Sequence, residues 1–202
     1  MIPKRKLYFQ LNPMGGKGQH FGGVNKVLSS YSGDTLFSGG RDGTIKCWQV
    51  NEEEAPTLKF SSHAHTDWVN DMALIEQEGP SGTTEPYLLI SASNDCQIRL
   101  WHLNSDSTAA EPVQTIFDQH QDYIKCVSAD PTTHLVASAG LDHSILIWDI
   151  SAPGGPKVQS KLSTQCGNSY SVPSASLAGK FVLDCSVYSL SLGAAGATAV
   201  AA

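Results

Sequence analysis

One string of residues occurs three times and constrains what this chain can fold into. Leu36 to Val50 reads LFSGGRDGTIKCWQV, Leu88 to Leu103 reads LLISASNDCQIRLWHL, and Leu135 to Ile150 reads LVASAGLDHSILIWDI. Each is a short apolar run, a turn carrying Asp, and a second run that closes on tryptophan, which is the pattern of a β-hairpin. The spacing is the same each time: Asp follows Ser by four residues and Trp follows Asp by six. A histidine lies upstream of every hairpin, at His20, His65 and His120. Self-similarity with a period near 50 residues points to a repeat architecture.

The intervening residues keep the same rhythm. Strands are expected at Val24–Leu28, Thr35–Ser38, Ile45–Val50 and Thr57–Phe60, then at Val69–Ile75, Tyr87–Ser91, Ile98–Leu103 and Val113–Phe117. A third set is expected at Ile124–Ser128, Leu135–Ser138 and Ile145–Ile150, with a poorer fourth strand near Val158–Leu162. The EQEGPSGTTEP stretch of residues 76–86 is turn chemistry and reads as a surface insertion, which makes the first Trp-to-Trp spacing 53 residues and the second 47. No segment has helical periodicity of useful length. The organisation expected is a lone strand and Gly-rich loop over 1–23, repeats over 24–62, 63–119 and 120–163, a Pro/Gly/Ser-rich linker over 164–186, and the start of a fourth repeat over 187–202.

Four short strands per repeat with an H…S…D…W signature specify the blades of a β-propeller. On these residues the chain resembles the WD-repeat family along nearly its whole length. The fold expected is therefore all-β, a WD-repeat β-propeller of three complete blades plus the start of a fourth, partial and unclosed. Such rings need seven or so blades, so the sequence reads as an N-terminal fragment or a truncated product. By resemblance, the Lys6–Leu11 strand would complete a last blade. HTDWVNDMAL (from His65), LISASNDCQIRLWHL (from Leu89), QDYIKC (from Gln121) and the third hairpin are most similar to the WD-repeat branch that binds and activates ubiquitin-specific proteases. The KRKL start, GVNKV and RDGTIKCW agree with that branch. The resemblance implies a non-enzymatic scaffold whose partners are a ubiquitin-specific protease and ubiquitin. The alternative it leaves open is an adaptor of another complex, such as a ubiquitin-ligase substrate receptor.

Composition excludes other classes. A net charge of -6, with Lys4-Arg5-Lys6 as the only basic cluster, argues against nucleic acid as a partner. There is no long apolar run for a membrane span, and no apolar stretch follows the basic start as a signal peptide requires. The five cysteines (Cys47, Cys96, Cys126, Cys166 and Cys185) form no C-x-x-C pair and leave one unpaired, which fits a reducing compartment, cytoplasmic or nuclear. Met14-Gly15-Gly16-Lys17-Gly18 lacks phosphate-loop spacing, and His63-Ala64-His65 has no third ligand near it, so neither a cofactor, a metal nor a small-molecule ligand is expected. Glu52-Glu53-Glu54 reads as a solvated turn.

Ser, His and Asp in every repeat invite a hydrolase reading, but a catalytic triad occurs once, and no G-x-S-x-G elbow is present. The expectation is instead three structural tetrads: His20/Ser38/Asp42/Trp48, His65/Ser91/Asp95/Trp101 and His120/Ser138/Asp142/Trp148. By resemblance each ties the loop before the first strand to the hairpin. Trp68 and Tyr123 both lie three residues after a tetrad histidine, where Gly23 and Ser186 are the small equivalents. In propellers that position emerges at the top rim, and a large aromatic there suits a partner anchor. Arg41 and Asn94, next to the turn aspartates, and Asp67 and Asp122, beside the aromatics, complete the candidate partner surface.

Overall fold

Each four-strand set pairs in simple chain order, because the turns between strands are too short for anything but antiparallel neighbours. The computed structural model describes residues 18–51, 55–63, 65–76, 87–103, 113–153, 155–163, 169–171 and 180–182. Blade 1 is β1 (Val24–Ser29), β2 (Thr35–Gly40), β3 (Thr44–Gln49) and β4 (Thr57–His63), paired in that order. Blade 2 is β5 (Val69–Ile75), β6 (Tyr87–Ser93), β7 (Ile98–Leu103) and β8 (Val113–Phe117). Blade 3 is β9 (Ile124–Asp130), β10 (Leu135–Gly140), β11 (Ser144–Asp149) and β12 (Lys157–Ser163). Three antiparallel four-stranded sheets without ring closure make a partial propeller. The described residues include no helix, hence none long and apolar enough to cross a membrane.

Two expectations change in detail. The poor fourth strand of blade 3 is a full seven-residue strand, β12, held by its ladder to β11 despite its exposed, Lys-bearing faces. Within the stretch expected as a linker, β13 (Ser169–Ser171) and β14 (Lys180–Val182) form an antiparallel ladder with Tyr170 opposite Phe181. The surrounding Ser, Pro and Gly masked these two short β-compatible runs. The Lys6–Leu11 strand, the glycines before Gly18, the acidic turn 52–54, residues 77–86 of the insertion and the fourth repeat lie outside the described residues.

The core lies at the junctions between blades. At the first junction Phe37, Ile45 and Cys47 of blade 1 meet Val69, Met72, Leu89, Trp101 and Leu103 of blade 2. At the second, Ile90, Ala92, Ile98, Leu100 and Phe117 of blade 2 meet Ile124, Val127, Val136, Leu146 and Trp148 of blade 3, with Phe117 stacked on Trp148 at 5.1 Å between ring centroids. The first strands of blades 2 and 3 thus pack on the sheet of the blade before. Gly39 marks how close this approach is: a Cβ there would lie 2.7 Å from the Val69 side chain. Fully burying a Val, Ile or Met contributes about 1.5–3 kcal/mol, so these positions dominate cohesion. Blade 1 repeats the pattern, and no strand among the described residues packs on that side. Val24 and Val27, equivalent to buried Val69 and Met72, are 49% and 56% exposed. They border an apolar groove of about 440 Å³ with Leu36, Trp48 and Pro56.

One irregularity recurs. Pairing between the first and second strands skips a residue in each blade, between Val24 and Lys26, between Val69 and Asp71, and between Ile124 and Cys126. The residues stepped over are Asn25, Asn70 and Lys125. A bulge of this kind re-aims one side chain without ending the ladder.

Candidate functional site

The hairpin register explains why the Ser-to-Trp spacing matters. Ser38 faces Lys46 across the β2–β3 ladder, and Leu36 faces Trp48, so Ser38 and Trp48 are diagonal neighbours on one face of the sheet. Ser91 with Trp101 and Ser138 with Trp148 stand in the same relation. In blade 2 the Trp101 indole N–H donates to Ser91 Oγ at 3.0 Å, Ser91 Oγ bonds His65 Nε2 at 2.8 Å, and His65 Nδ1 bonds Asp95 Oδ2 at 2.8 Å. A carboxylate only accepts, so Nδ1 carries the proton and the chain of donors runs from indole to hydroxyl to imidazole to carboxylate. Blade 3 has the same chain at 2.9, 2.7 and 2.9 Å (Trp148–Ser138, Ser138–His120, His120–Asp142). Blade 1 has it at 3.0, 2.8 and 3.0 Å (Trp48–Ser38, Ser38–His20, His20–Asp42).

The aspartates do more than hold imidazoles. Each accepts an amide of its own turn (Thr44, Gln97 or Ser144) and the amide that follows the histidine (Phe21, Thr66 or Gln121), at 2.7–3.2 Å. Burial raises the Asp42 pKa, but hydrogen bonds from His20, Thr44 and the two amides outweigh it and bring it to about 2. Asp95 and Asp142 are lowered in the same way, against burial, by their hydrogen bonds and by their histidines. For His65 and His120 burial wins over the neighbouring carboxylate and lowers the pKa, so both imidazoles are neutral at pH 7.

Ser91, His65 and Asp95 have the distances of a hydrolytic triad, yet the surroundings do not suit a nucleophile. Ser91 and Ser138 are fully buried, and each oxygen is occupied by an indole donor. His63, considered above as a chelating neighbour of His65, ends β4 on an exposed position while His65 is buried. Among the described residues no group of His, Cys, Asp and Glu is placed to hold a metal ion. Cys47 and Cys126 are buried thiols, with pKa values pushed up to about 12 by that burial.

The tetrads hold a face. The residue before each turn aspartate donates its amide to the carbonyl three residues after the histidine: Arg41 to Gly23 at 2.8 Å, Asn94 to Trp68 at 3.0 Å, Leu141 to Tyr123 at 2.8 Å. Turn and aromatic therefore share one rim. Trp68 and Tyr123 are both 42% exposed, and Asp67 and Asp122 each accept the amide of the aromatic that follows. The Arg41 guanidinium lies over Trp68 of the next blade, 4.6 Å from the ring centroid, which is a cation–π contact across the junction.

Asn94 does not belong to the exposed surface. It is only 8% exposed, because its short side chain turns into the seam between blades 2 and 3, where Oδ1 accepts from Asn70 Nδ2 at 2.7 Å and Lys125 Nζ at 3.0 Å. The rim includes residues the sequence reading passed over. Phe21 is 88% exposed beside His20, and Leu141 occupies the blade 3 position equivalent to Arg41. Lys125 lies 5.1 Å from the Tyr123 ring centroid. Behind the rim, Asn25 and Asn70 donate to the carbonyls of Val69 and Ile124 in the next blade at 2.9 and 2.6 Å. Asp71 joins all three blades, meeting Lys26 Nζ at 2.8 Å and the Val127 amide at 3.0 Å. These groups border a polar cleft of about 470 Å³ along the first strands. Their signal was available in the aligned strings VNK, VND and IKC, six residues and fewer after each histidine.

A family model described as WD domain, G-beta repeat matches residues 15–49, 56–102 and 110–149, well over half of the chain. This chain is a WD40 protein. Each match ends within a residue of a tetrad tryptophan, and the second and third take in the last strand of the preceding blade, so the WD40 repeat is offset from the structural blade by one strand. WD40 domains mediate protein–protein interaction, and the rim described above combines exposed aromatics with a rigid foundation.

Proposed function

We propose that this WD40 chain is a non-enzymatic scaffold that binds a ubiquitin-specific protease through the Trp68–Tyr123 rim and favours the enzyme's competent conformation. The observation that carries the docking part is the pair of half-exposed aromatics at one repeat position in adjacent blades, each fixed from behind by a buried tetrad. Large aromatics on rigid supports lose little entropy on binding and supply most of an interface's energy. The choice of enzyme class rests on the strings quoted above, which resemble WD repeat-containing protein 48; a cytoplasmic or nuclear location, or both, is part of the same reading and is supported by the cysteine usage. Activation would follow from tighter binding to the active conformation than to the idle one.

The test is binding of the full chain to a panel of purified ubiquitin-specific protease catalytic domains, followed by ubiquitin–fluorophore cleavage by any that bind. At least one should bind, and Trp68→Ala should weaken it by about 30-fold, the equivalent of about 2 kcal/mol. Capture of ligase subunits with no protease bound would replace this reading by the ligase-adaptor one.

A further inference from the structure

Trp68 and Tyr123 each follow an aspartate, Asp67 and Asp122, at one repeat position of adjacent blades, where blade 1 has Gly22 and Gly23. Oδ1 of each aspartate accepts the amide of its aromatic, at 2.6 and 2.7 Å. Oδ2 of each is bonded to nothing among the described residues, and neither carboxylate enters an ion pair there. Both residues are half-buried, so the free oxygen stands at the surface beside the ring. The tetrad carboxylates differ. In Asp95 and Asp142 both oxygens are taken, by a histidine and by backbone amides.

The negative charge stays on this face. His65 and His120 are neutral, so Asp95 and Asp142 keep their charge alongside Asp67 and Asp122. These four carboxylates outnumber the two rim cations, Arg41 and Lys125, which donate to the neutral amides Asn25 and Asn94 at 3.2 and 3.0 Å. The Cys96 thiol, on the turn after Asp95, registers the balance: burial raises its pKa, and Asp122, Asp95, Asp142 and Asp67 raise it further. Trp68 and Tyr123 remain 42% exposed although Arg41 and Lys125 lie against them, so each ring still offers surface to a partner. A carboxylate oxygen beside an exposed ring suits both parts of a basic side chain: the N–H groups bond the oxygen and the methylene stem lies on the ring. Among the described residues no group is placed to hold a metal ion, so the complement is a cationic side chain rather than a bound metal. A nucleic acid would bring its phosphates against these carboxylates.

We propose that the protein segment docking on this rim is basic, placing Lys or Arg nitrogens on the free oxygens of Asp67 and Asp122 and their carbon stems against Trp68 and Tyr123. This rests on the reading of the rim as a docking face, and it adds the chemistry of the occupant. The experiment measures fluorescence anisotropy with the full chain and two probes. One is a short fluorescein-labelled peptide of Lys, Leu and Ser, the other the same peptide with Glu for every Lys. The basic peptide should bind at least about ten-fold more tightly at low salt, with the preference shrinking as salt rises. Any acidic chain attracts a basic peptide weakly, so substitution locates the site. Asp67→Asn with Asp122→Asn keeps an oxygen for each aromatic amide but removes the charge, and it should weaken the basic peptide by about five-fold or more. Glu76→Gln with Asp149→Asn removes as much charge at the far ends of β5 and β11, and it should change that affinity by less than about two-fold. Circular dichroism melts check that the variants are folded, and each single rim variant should show part of the loss. Equal binding of the two peptides, or equal losses from the two double variants, overturns the proposal. A protease panel that fails to bind while the rim-dependent peptide preference holds removes the proposed enzyme partner and leaves this inference standing. A bound protease indifferent to salt and to Asp67→Asn with Asp122→Asn does the opposite.

Discussion

Replacing Ser91 by Ala removes one oxygen and strands two buried groups. The Trp101 indole N–H loses its acceptor, and His65 Nε2 loses its donor. Each unsatisfied buried group costs about 1–3 kcal/mol, and the change in volume is small, so the total expected is about 2–6 kcal/mol. Ser138→Ala in blade 3 should behave alike, because Ser138 is as buried as Ser91. Blade 1 differs. Its tetrad has the same distances, but His20, Ser38 and Trp48 line the apolar groove, which has ample room for a water to replace the lost hydroxyl. Ser38→Ala should therefore cost about 1 kcal/mol. Urea melts of the full-length variants, followed by tryptophan fluorescence, give the comparison. Equal losses at Ser38 and Ser91 would refute the argument that solvent access sets the cost, and negligible losses at both would refute a stabilising role for the tetrads altogether.

Three other outcomes follow from the same geometry. Gly43 and Cys96 occupy one turn position with φ of 71° and 65°, but a Cβ on Gly43 collides with the His65 carbonyl, so Gly43→Ala should destabilise while Cys96→Gly stabilises by up to about 1 kcal/mol; matching signs in thermal melts would contradict this. Trp101→Ala should cost about 3–5 kcal/mol and Trp68→Ala far less, since Trp101 is fully buried and Trp68 is not; equal losses on denaturation would place Trp68 in the core. Acidification should destabilise: His65 and His120 have pKa values lowered by burial from the ordinary 6.5, so the unfolded chain takes up protons first as pH falls through that value, and stability present above it is lost below. Asp42, Asp95 and Asp142, whose pKa values are held below the ordinary 3.8, extend the loss below that pH; a melting temperature that rises from pH 7.5 to 5.5 would show the histidine sign to be wrong.

The hairpins were legible because their determinants are local. Period-two alternation sets which face a strand residue takes, and turn length sets register, so the spacing from Ser38 to Trp48 already contains their diagonal adjacency. The rim aromatics were legible for a related reason: equivalent residues in a repeat occupy equivalent places. What meets across a junction was harder to read. Asn94 looked like a rim residue from its place beside Asp95, and only the neighbouring Asn70 and Lys125 draw it inward. Asp71 gave no sign of joining three blades, because two of its partners come from other repeats. The bulges at Asn25, Asn70 and Lys125 shift the side-chain alternation by one residue at the place where the rim begins. Strand patterns alone do not register such a step.

The placement of the core between sheets has a bearing on how such a chain could be rebuilt. No repeat owns the apolar cluster it helps to make: Phe37, Ile45 and Cys47 are matched to Val69, Met72 and Leu89 of the following repeat. A whole blade lifted from one chain into another would therefore arrive with two half-clusters fitted to absent neighbours. A transplant of two adjoining blades would carry the cluster between them intact. For recombination and for engineering alike, the natural unit of exchange is the junction rather than the repeat that the sequence displays.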